Sequence, residues 1–221
     1  DFTSQGVGIN AKRRFRADER TYLLSGLYTA RANFLSSDLF SVVNRFLVSL
    51  ETAFTPHTRT FAYSRASLSN FGPDRSNPPQ TSRDGFRGGL GLTQFFYTHD
   101  FRRHVFVSQE LSLQETRGAN FTRRGAASRV GLFTTVDVLP KTEWEISTGF
   151  GLGRYPRFTS RSSQDTTRRR DARFDVYTTT THHWTTSLAT RVMYQFIQYD
   201  NRNDVFDRTR HIAGVEMLFS Y

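Results

Sequence analysis

The stretch RVGLFTTVDVLPKTEWEISTGFGLG, residues 129–153, decides the fold class, because apolar and polar residues alternate along both of its halves. One set of alternate positions is almost wholly apolar: Val130, Leu132, Thr134, Val136, Val138, Trp144, Ile146, Thr148, Phe150 and Leu152. The other set holds charged residues and glycines: Arg129, Gly131, Asp137, Glu143, Glu145 and Gly149. A period of two indicates β-strands, and Pro140-Lys141 supplies a turn between them. We therefore predict a hairpin with Val136 opposite Ile146, one apolar face and one polar face.

The same alternation recurs along the whole chain, and helical periodicity is nearly absent. The predicted strands cover residues 5–16, 21–34, 39–54, 60–71, 84–98, 104–116, 126–139, 142–154, 173–182, 186–199 and 208–221. In the 173–199 hairpin, Val176 is predicted to lie opposite Val192. The connections alternate between long polar segments and short turns, which is typical of outer-membrane barrels.

The composition suits a sheet without a thick apolar core. Only 37% of the residues are hydrophobic, yet 14% are aromatic. No apolar run approaches the roughly 18 residues that a membrane-spanning helix needs, whereas a barrel strand needs only about 9–11. The composition therefore excludes a helical membrane protein and leaves a barrel open.

The polar face is the one that we expect to lie inside. It carries glycines among its charged residues, as expected for a crowded, wet interior: Gly89, Gly91, Gly131, Gly149, Gly151, Gly153 and Gly214. The apolar face then points outward at lipid. We predict an all-β, antiparallel, up-and-down transmembrane β-barrel that forms one domain over residues 1–221. The alternative is a soluble β-protein with the apolar faces packed together.

The last strand carries a resemblance to a known class of proteins. The ending HIAGVEMLFSY, residues 211–221, places Met217, Phe219 and Tyr221 on one face and stops on an aromatic residue. It resembles the C-terminal signature by which the barrel-assembly machinery recognises bacterial outer-membrane proteins. The longer stretch 193–221 resembles the end of porin-like barrels associated with exopolysaccharide secretion. The resemblance implies a Gram-negative outer membrane with a periplasmic C-terminus, but no cargo.

The number of predicted strands departs from the rule for such barrels. Eleven are found, whereas single-chain bacterial barrels have even numbers, so we expect about twelve. A strand before residue 1 could be missing, two strands could be merged within 39–71, or a second polypeptide could complete the barrel.

Charged residues on the predicted inner face are the first candidate site. The predicted lumen-lining residues are Arg31, Arg45, Arg87, Glu110, Arg129, Asp137, Glu145, Asp175, Arg191 and Glu216. Asp137 and Glu145 are expected to be cross-strand neighbours that recruit an arginine. Such a set could form a selectivity ladder, or a salt-bridged plug that conducts nothing.

Arginines in the connections are the second candidate site. The formal net charge is +10, and the segment 155–172 is predicted to be an extracellular loop that binds anions or lipopolysaccharide. Its candidate residues are Arg157, Arg161, Arg168, Arg169 and Arg170. Arginine binds phosphates through paired hydrogen bonds, although a solvated loop would look the same. Nucleic acid is not an expected partner.

Polar residues on the predicted lipid face are the third candidate site. Asn44, Gln94 and Gln109 interrupt apolar positions, and an unbonded amide in hydrocarbon is costly. Gln94 and Gln109 are predicted to be direct neighbours that could satisfy each other. Alternatively, strands 39–116 form a lateral contact with a partner protein or a second copy.

Catalysis is not expected. The chain has no cysteine, and no histidine stands at a convincing spacing from a serine, so we predict no catalytic residues, metal or cofactor. Two functions remain. One is a narrow channel for small, preferably anionic solutes, and the other is a non-conducting barrel subunit of an envelope or export assembly.

Overall fold

The computed structural model describes residues 2–35, 38–71, 84–117, 121–139, 141–156, 169–201 and 207–219, which form eleven β-strands. They are β1 (Phe2–Ala17), β2 (Arg20–Leu35), β3 (Asp38–Thr55), β4 (Thr58–Phe71), β5 (Gly85–Tyr97), β6 (Arg103–Thr116), β7 (Arg123–Thr135), β8 (Thr142–Arg154), β9 (Arg170–His183), β10 (Leu188–Asn201) and β11 (Arg208–Phe219). The two strands within 38–71 match the two predicted there. The described residues contain no helix long and apolar enough to cross a membrane.

The strands form one antiparallel meander, because each pairs with the strands before and after it in the chain. Each strand has 12 to 18 residues, enough to cross a bilayer at a tilt. β1 and β11 stand at the two ends of this order and run in the same direction. They are not paired with each other in the described part of the chain.

The two ends of the sheet differ in the lengths of their connections. One end, called here the short-turn end, carries residues 18–19, 56–57, 98–102, 136–141 and 184–187 between strands. The opposite end, called the long-connection end, carries residues 36–37, 72–84, 117–122, 155–169 and 202–207. Apart from the short 36–37 connection, this is the predicted asymmetry.

The faces are sorted as in an outer-membrane barrel. Along β8, Phe150 and Leu152 are 52% and 53% exposed, whereas Ser147 between them and the turn is 3% exposed. Among the described residues, the buried hydrophobic side chains are only Ala189 and Ile197, while many hydroxyls and the Asp175 carboxylate are buried. The prediction that polar groups are enclosed and apolar groups point outward is confirmed.

The predicted registers of two hairpins are wrong. Leu132, not Val136, lies opposite Ile146, and Phe196, not Val192, lies opposite Val176. The first turn is longer than Pro140-Lys141, since the Val136 N–H donates to the Thr142 carbonyl at 2.8 Å and encloses residues 137–141. Because both errors amount to an even number of residues, the residues that remain within the strands keep their predicted faces.

Candidate functional site

The polar face of the sheet collects nearly all the predicted lumen-lining residues. The register places nine of them on this face: Arg31, Arg45, Arg87, Glu110, Arg129, Glu145, Asp175, Arg191 and Glu216. Asp137 lies instead in the turn after β7, where it accepts a hydrogen bond from Arg103 at 2.8 Å. Glu145 lies opposite Phe133, so the expected Asp137–Glu145 pair is not formed. The longer turn carries Asp137 out of the strand.

Glycines on this face let side chains reach over a neighbouring strand. A Cβ on Gly91 would lie 2.2 Å from the Tyr63 ring, and one on Gly149 would lie 3.0 Å from an Asp175 carboxylate oxygen. Real Cβ atoms do not approach ring carbons that closely, so Tyr63 occupies the space that a side chain at position 91 would need. The glycines therefore allow long side chains to lie flat against the wall.

One such side-chain bridge joins β4 to β6 across β5. The Tyr63 hydroxyl donates to Oε2 of Glu110 at 2.7 Å, and Nη2 of Arg65 donates to Oε1 of the same carboxylate. Both carboxylate oxygens of Glu110 therefore accept hydrogen bonds from side chains of β4. Sequence reasoning missed Tyr63 and Arg65, because β4 has little apolar contrast between its faces.

A second bridge joins β7 to β9 across β8. Asp175, which is 4% exposed, accepts from Nη2 of Arg129. It also pairs with Nη2 of Arg173 at 3.1 Å. Nη1 of Arg129 donates to the Ser147 hydroxyl on the intervening strand at 3.2 Å. This cluster holds two arginines against one buried carboxylate.

A cavity of about 960 Å³ opens on the polar face beside the first bridge. Arg31, Arg45, Arg65 and Arg87 line it, and no carboxylate is among the described residues that do so. Arg65 is neutralised by Glu110, whereas the other three have no ion pair within the described residues. The described lining of this cavity therefore carries positive charge that no lining carboxylate offsets.

The guanidinium groups of the cavity act on one another. Arg45, Arg65 and Arg123 on β7 lie within electrostatic range of Arg87, as does the Glu110 carboxylate. At the short-turn end of the same face, two other arginines are paired. Arg59 lies 3.1 Å from Glu51, and Arg191 lies 3.6 Å from Glu216. Arg45 and Arg87 differ from these two arginines in having no carboxylate partner among the described residues.

The predicted anion-binding loop is described only in part. Arg157, Arg161 and Arg168 lie outside the described residues. Arg169 binds both oxygens of Asp171 at 2.9 Å. It also covers the ring of Tyr155, 4.5 Å from the ring centroid. Burial raises the pKa of Tyr155, so this phenol stays neutral beside the cations, while Arg170 starts β9 on the outward face.

Two of the three outward amides, Asn44 and Gln94, are hydrogen-bonded within the sheet. Asn44 accepts a hydrogen bond from the Tyr28 hydroxyl at 2.8 Å. Gln94 accepts from the Thr60 hydroxyl and donates to the Arg59 carbonyl at 3.2 Å. The expectation that Gln94 and Gln109 are direct neighbours is wrong. Their cross-strand partners are Val107 and Leu92 respectively, because the 98–102 turn shifts the register by two residues.

The remaining residues considered from the sequence are the predicted assembly signal and the histidines. Met217 and Phe219 of the predicted assembly signal are exposed on the outward face of β11, and Tyr221 lies outside the described residues. His57 and His99 contact each other at 3.0 Å beside the short turns. Within the described ranges, no serine hydroxyl is hydrogen-bonded to a histidine, and no group of three or more metal-ligating side chains is found.

Comparison with known proteins identifies the fold. No family model matches the chain, and no curated protein matches it. An outer membrane protein of Vibrio cholerae, OmpT, aligns over 98% of this chain and 94% of its own, with 9% identity and a TM-score of 0.50. The chain has the fold of an outer-membrane β-barrel.

Two further solved structures align with the chain at lower TM-scores. The β domain of the Bordetella autotransporter BrkA aligns over 100% of this chain and 91% of its own, with 12% identity and a TM-score of 0.44. Acinetobacter baumannii OccAB4 aligns over 94% of this chain and 55% of its own, with 11% identity and a TM-score of 0.48.

Proposed function

We propose that the chain forms a narrow passive channel for small anionic solutes in a bacterial outer membrane, with its C-terminus in the periplasm. The observation that carries the proposal is the cavity lined by Arg31, Arg45, Arg65 and Arg87 without a lining carboxylate. A positive, water-filled constriction concentrates anions and repels cations. The solute passes without chemical change, so no residue is assigned a catalytic role.

The glycine-supported bridges favour an open channel over a plug. Tyr63 and Asp175 lie across Gly91 and Gly149, so the Glu110 and Asp175 ion pairs run along the wall. Side chains that lie flat on the wall leave the centre of the lumen to water. The arginines without acidic partners remain free to contact a passing anion.

Ion selectivity in planar bilayers tests this proposal. Under a KCl gradient, the reversal potential of the wild-type chain is expected to show preference for chloride. Arg45→Gln combined with Arg87→Gln should lower the chloride-to-potassium permeability ratio several-fold. Arg13→Gln combined with Arg102→Gln is the matched control, since it removes the same charge from a residue on the outward face of β1 and a residue in a short turn.

Two results would contradict an anion-selective channel lined by the cavity arginines. The first is cation preference in the wild type, and the second is a permeability ratio that the control changes as much as the cavity variant does. A folded sample that never conducts would favour the second candidate, a non-conducting subunit of an envelope or export assembly. One observation favours that candidate: β1 and β11 are unpaired within the described residues, and open sheet edges are not tolerated in hydrocarbon.

A further inference from the structure

The outward face of the sheet carries a row of arginines at the long-connection end. Arg124 on β7 is the direct cross-strand partner of Arg154 on β8, which is in turn the partner of Arg170 on β9. The Cβ atoms of such partners lie about 4.5–5.5 Å apart, and like charges placed directly opposite are destabilising. All three side chains are exposed. The row therefore concentrates positive charge where nothing in the sheet requires it.

No carboxylate compensates this row in the part of the chain that the structure describes. Glu115 on β6 and Asp200 on β10 share the outward face, yet neither forms an ion pair with an arginine of the row. Arg123, the neighbour of Arg124 in the chain, points to the opposite face and covers the Tyr155 ring at 5.9 Å. The charge of the row is thus available to an external anion.

An apolar groove of about 680 Å³ lies directly beside the arginine row on the same face. Leucines and an alanine from four neighbouring strands line it: Leu90, Leu111, Leu113, Ala126 and Leu152. Arg124 and Arg154 form its rim toward the long-connection end. Gly88 also lines the groove. A groove of this kind fits a hydrocarbon chain, and its rim fits the anionic head of the same molecule.

We propose that this surface binds a phosphorylated glycolipid of the outer leaflet, with an acyl chain in the groove and its phosphates on Arg124, Arg154 and Arg170. Guanidinium groups bind phosphate oxygens through paired hydrogen bonds. The row crosses two interstrand spacings, roughly 10 Å in all, a width that two phosphates on one sugar headgroup can span. This geometry favours a lipopolysaccharide over a glycerophospholipid.

The site differs from the loop that the sequence indicates. Of the loop arginines predicted to bind lipopolysaccharide, only Arg170 belongs to the row, and Arg169 is engaged by Asp171. The site also lies on the opposite face from the cavity, so it does not depend on conduction.

Lipid retention by the folded chain tests the proposal. The full chain, folded in a nonionic detergent, is titrated with bis-phosphorylated lipid A, dephosphorylated lipid A or phosphatidylglycerol, and the bound lipid is read by native mass spectrometry. Bis-phosphorylated lipid A is expected to bind on the order of tenfold more tightly than either of the others, since charged hydrogen bonds are each worth about that factor. Higher ionic strength should weaken the binding of bis-phosphorylated lipid A, because the charged site is exposed to solvent.

Substitutions assign the effect to the row. The triple variant R124Q/R154Q/R170Q should lose the preference for bis-phosphorylated lipid A, while R13Q/R16Q/R102Q, with the same loss of charge at the short-turn end, should keep it. If the triple variant does not fold, R154Q alone should give a partial loss. Leu111→Trp, which fills the groove, should weaken the binding of all three lipids.

The outcomes against the proposal are distinct. Equal binding of bis-phosphorylated and dephosphorylated lipid A would show that the arginines take no part. Equal binding of phosphatidylglycerol would contradict the glycolipid. Unchanged binding by both R154Q and the triple variant would place any lipid elsewhere on the barrel. None of these results bears on ion selectivity, which the bilayer experiment measures separately.

Discussion

The two arginine clusters on the polar face are built from the same residue type and differ in their acidic partners. In the β7–β9 cluster, Arg129 and Arg173 both contact the buried carboxylate of Asp175. In the cavity beside β4, Arg45 and Arg87 have no ion pair among the described residues. A paired arginine near a buried carboxylate joins neighbouring strands, whereas on the proposed function an unpaired one contacts the solute. The position of the acidic partner therefore distinguishes the two clusters.

Removing the buried carboxylate should have the largest effect on stability. Asp175→Asn leaves Arg129 and Arg173 without their counter-charge, and breaking a buried pair from one side costs about 3–5 kcal/mol. Because each arginine side chain is about one-third exposed, at 32% and 34%, we expect the lower end, about 3 kcal/mol. Urea unfolding in detergent measures the change.

Arg87→Gln is the matched control in the other cluster. It removes a charge that has no partner, so the free energy of unfolding should change by less than about 0.5 kcal/mol. A loss at position 87 as large as that at position 175 would erase the distinction between the two clusters.

Crowding at the first bridge should have an intermediate effect. Gly91→Ala places a Cβ 2.2 Å from the Tyr63 ring, which forces the ring away from Glu110 and costs about 1–3 kcal/mol, as overpacking typically does. Gly26→Ala is the control, because a Cβ there meets nothing within 4 Å and should be neutral or slightly stabilising. The same unfolding measurement compares the two, and equal effects would mean that Tyr63 does not lie over Gly91.

The sequence predicts faces better than it predicts neighbours. Alternation in 129–153 assigns each side chain to the inside or the outside, because a strand has a strict period of two. It does not determine how many residues a turn takes. Val136 and Val138 continue the apolar pattern, yet β7 ends at Thr135. The observed cross-strand pairs therefore differ from the predicted ones by an even number of residues, and residues that remain within the strands keep their predicted faces.

The candidate site was predictable to the same degree. The positions Arg31, Arg45 and Arg87 follow from alternation alone. Their shared cavity depends on the register of β2 to β5, which the sequence does not specify. Arg65 was missed because Ser64 and Ala66 beside it give no apolar contrast. Its role depends on Glu110, two strands away, which only the three-dimensional arrangement brings near.

Because the chain has no cysteine, single labelled cysteines can show directly which face of the sheet contacts lipid and which contacts water. Single cysteines at Glu145, Ser147 and Gly151 on one face of β8, and at Ile146, Phe150 and Leu152 on the other, can carry nitroxide labels in lipid bilayers. Power-saturation spectroscopy then compares collisions with oxygen, which concentrates in lipid, and with a water-soluble nickel complex. A barrel whose apolar face contacts lipid should show oxygen access at the even-numbered positions and nickel access at the odd-numbered ones. The reverse pattern, or none with a period of two, would contradict it.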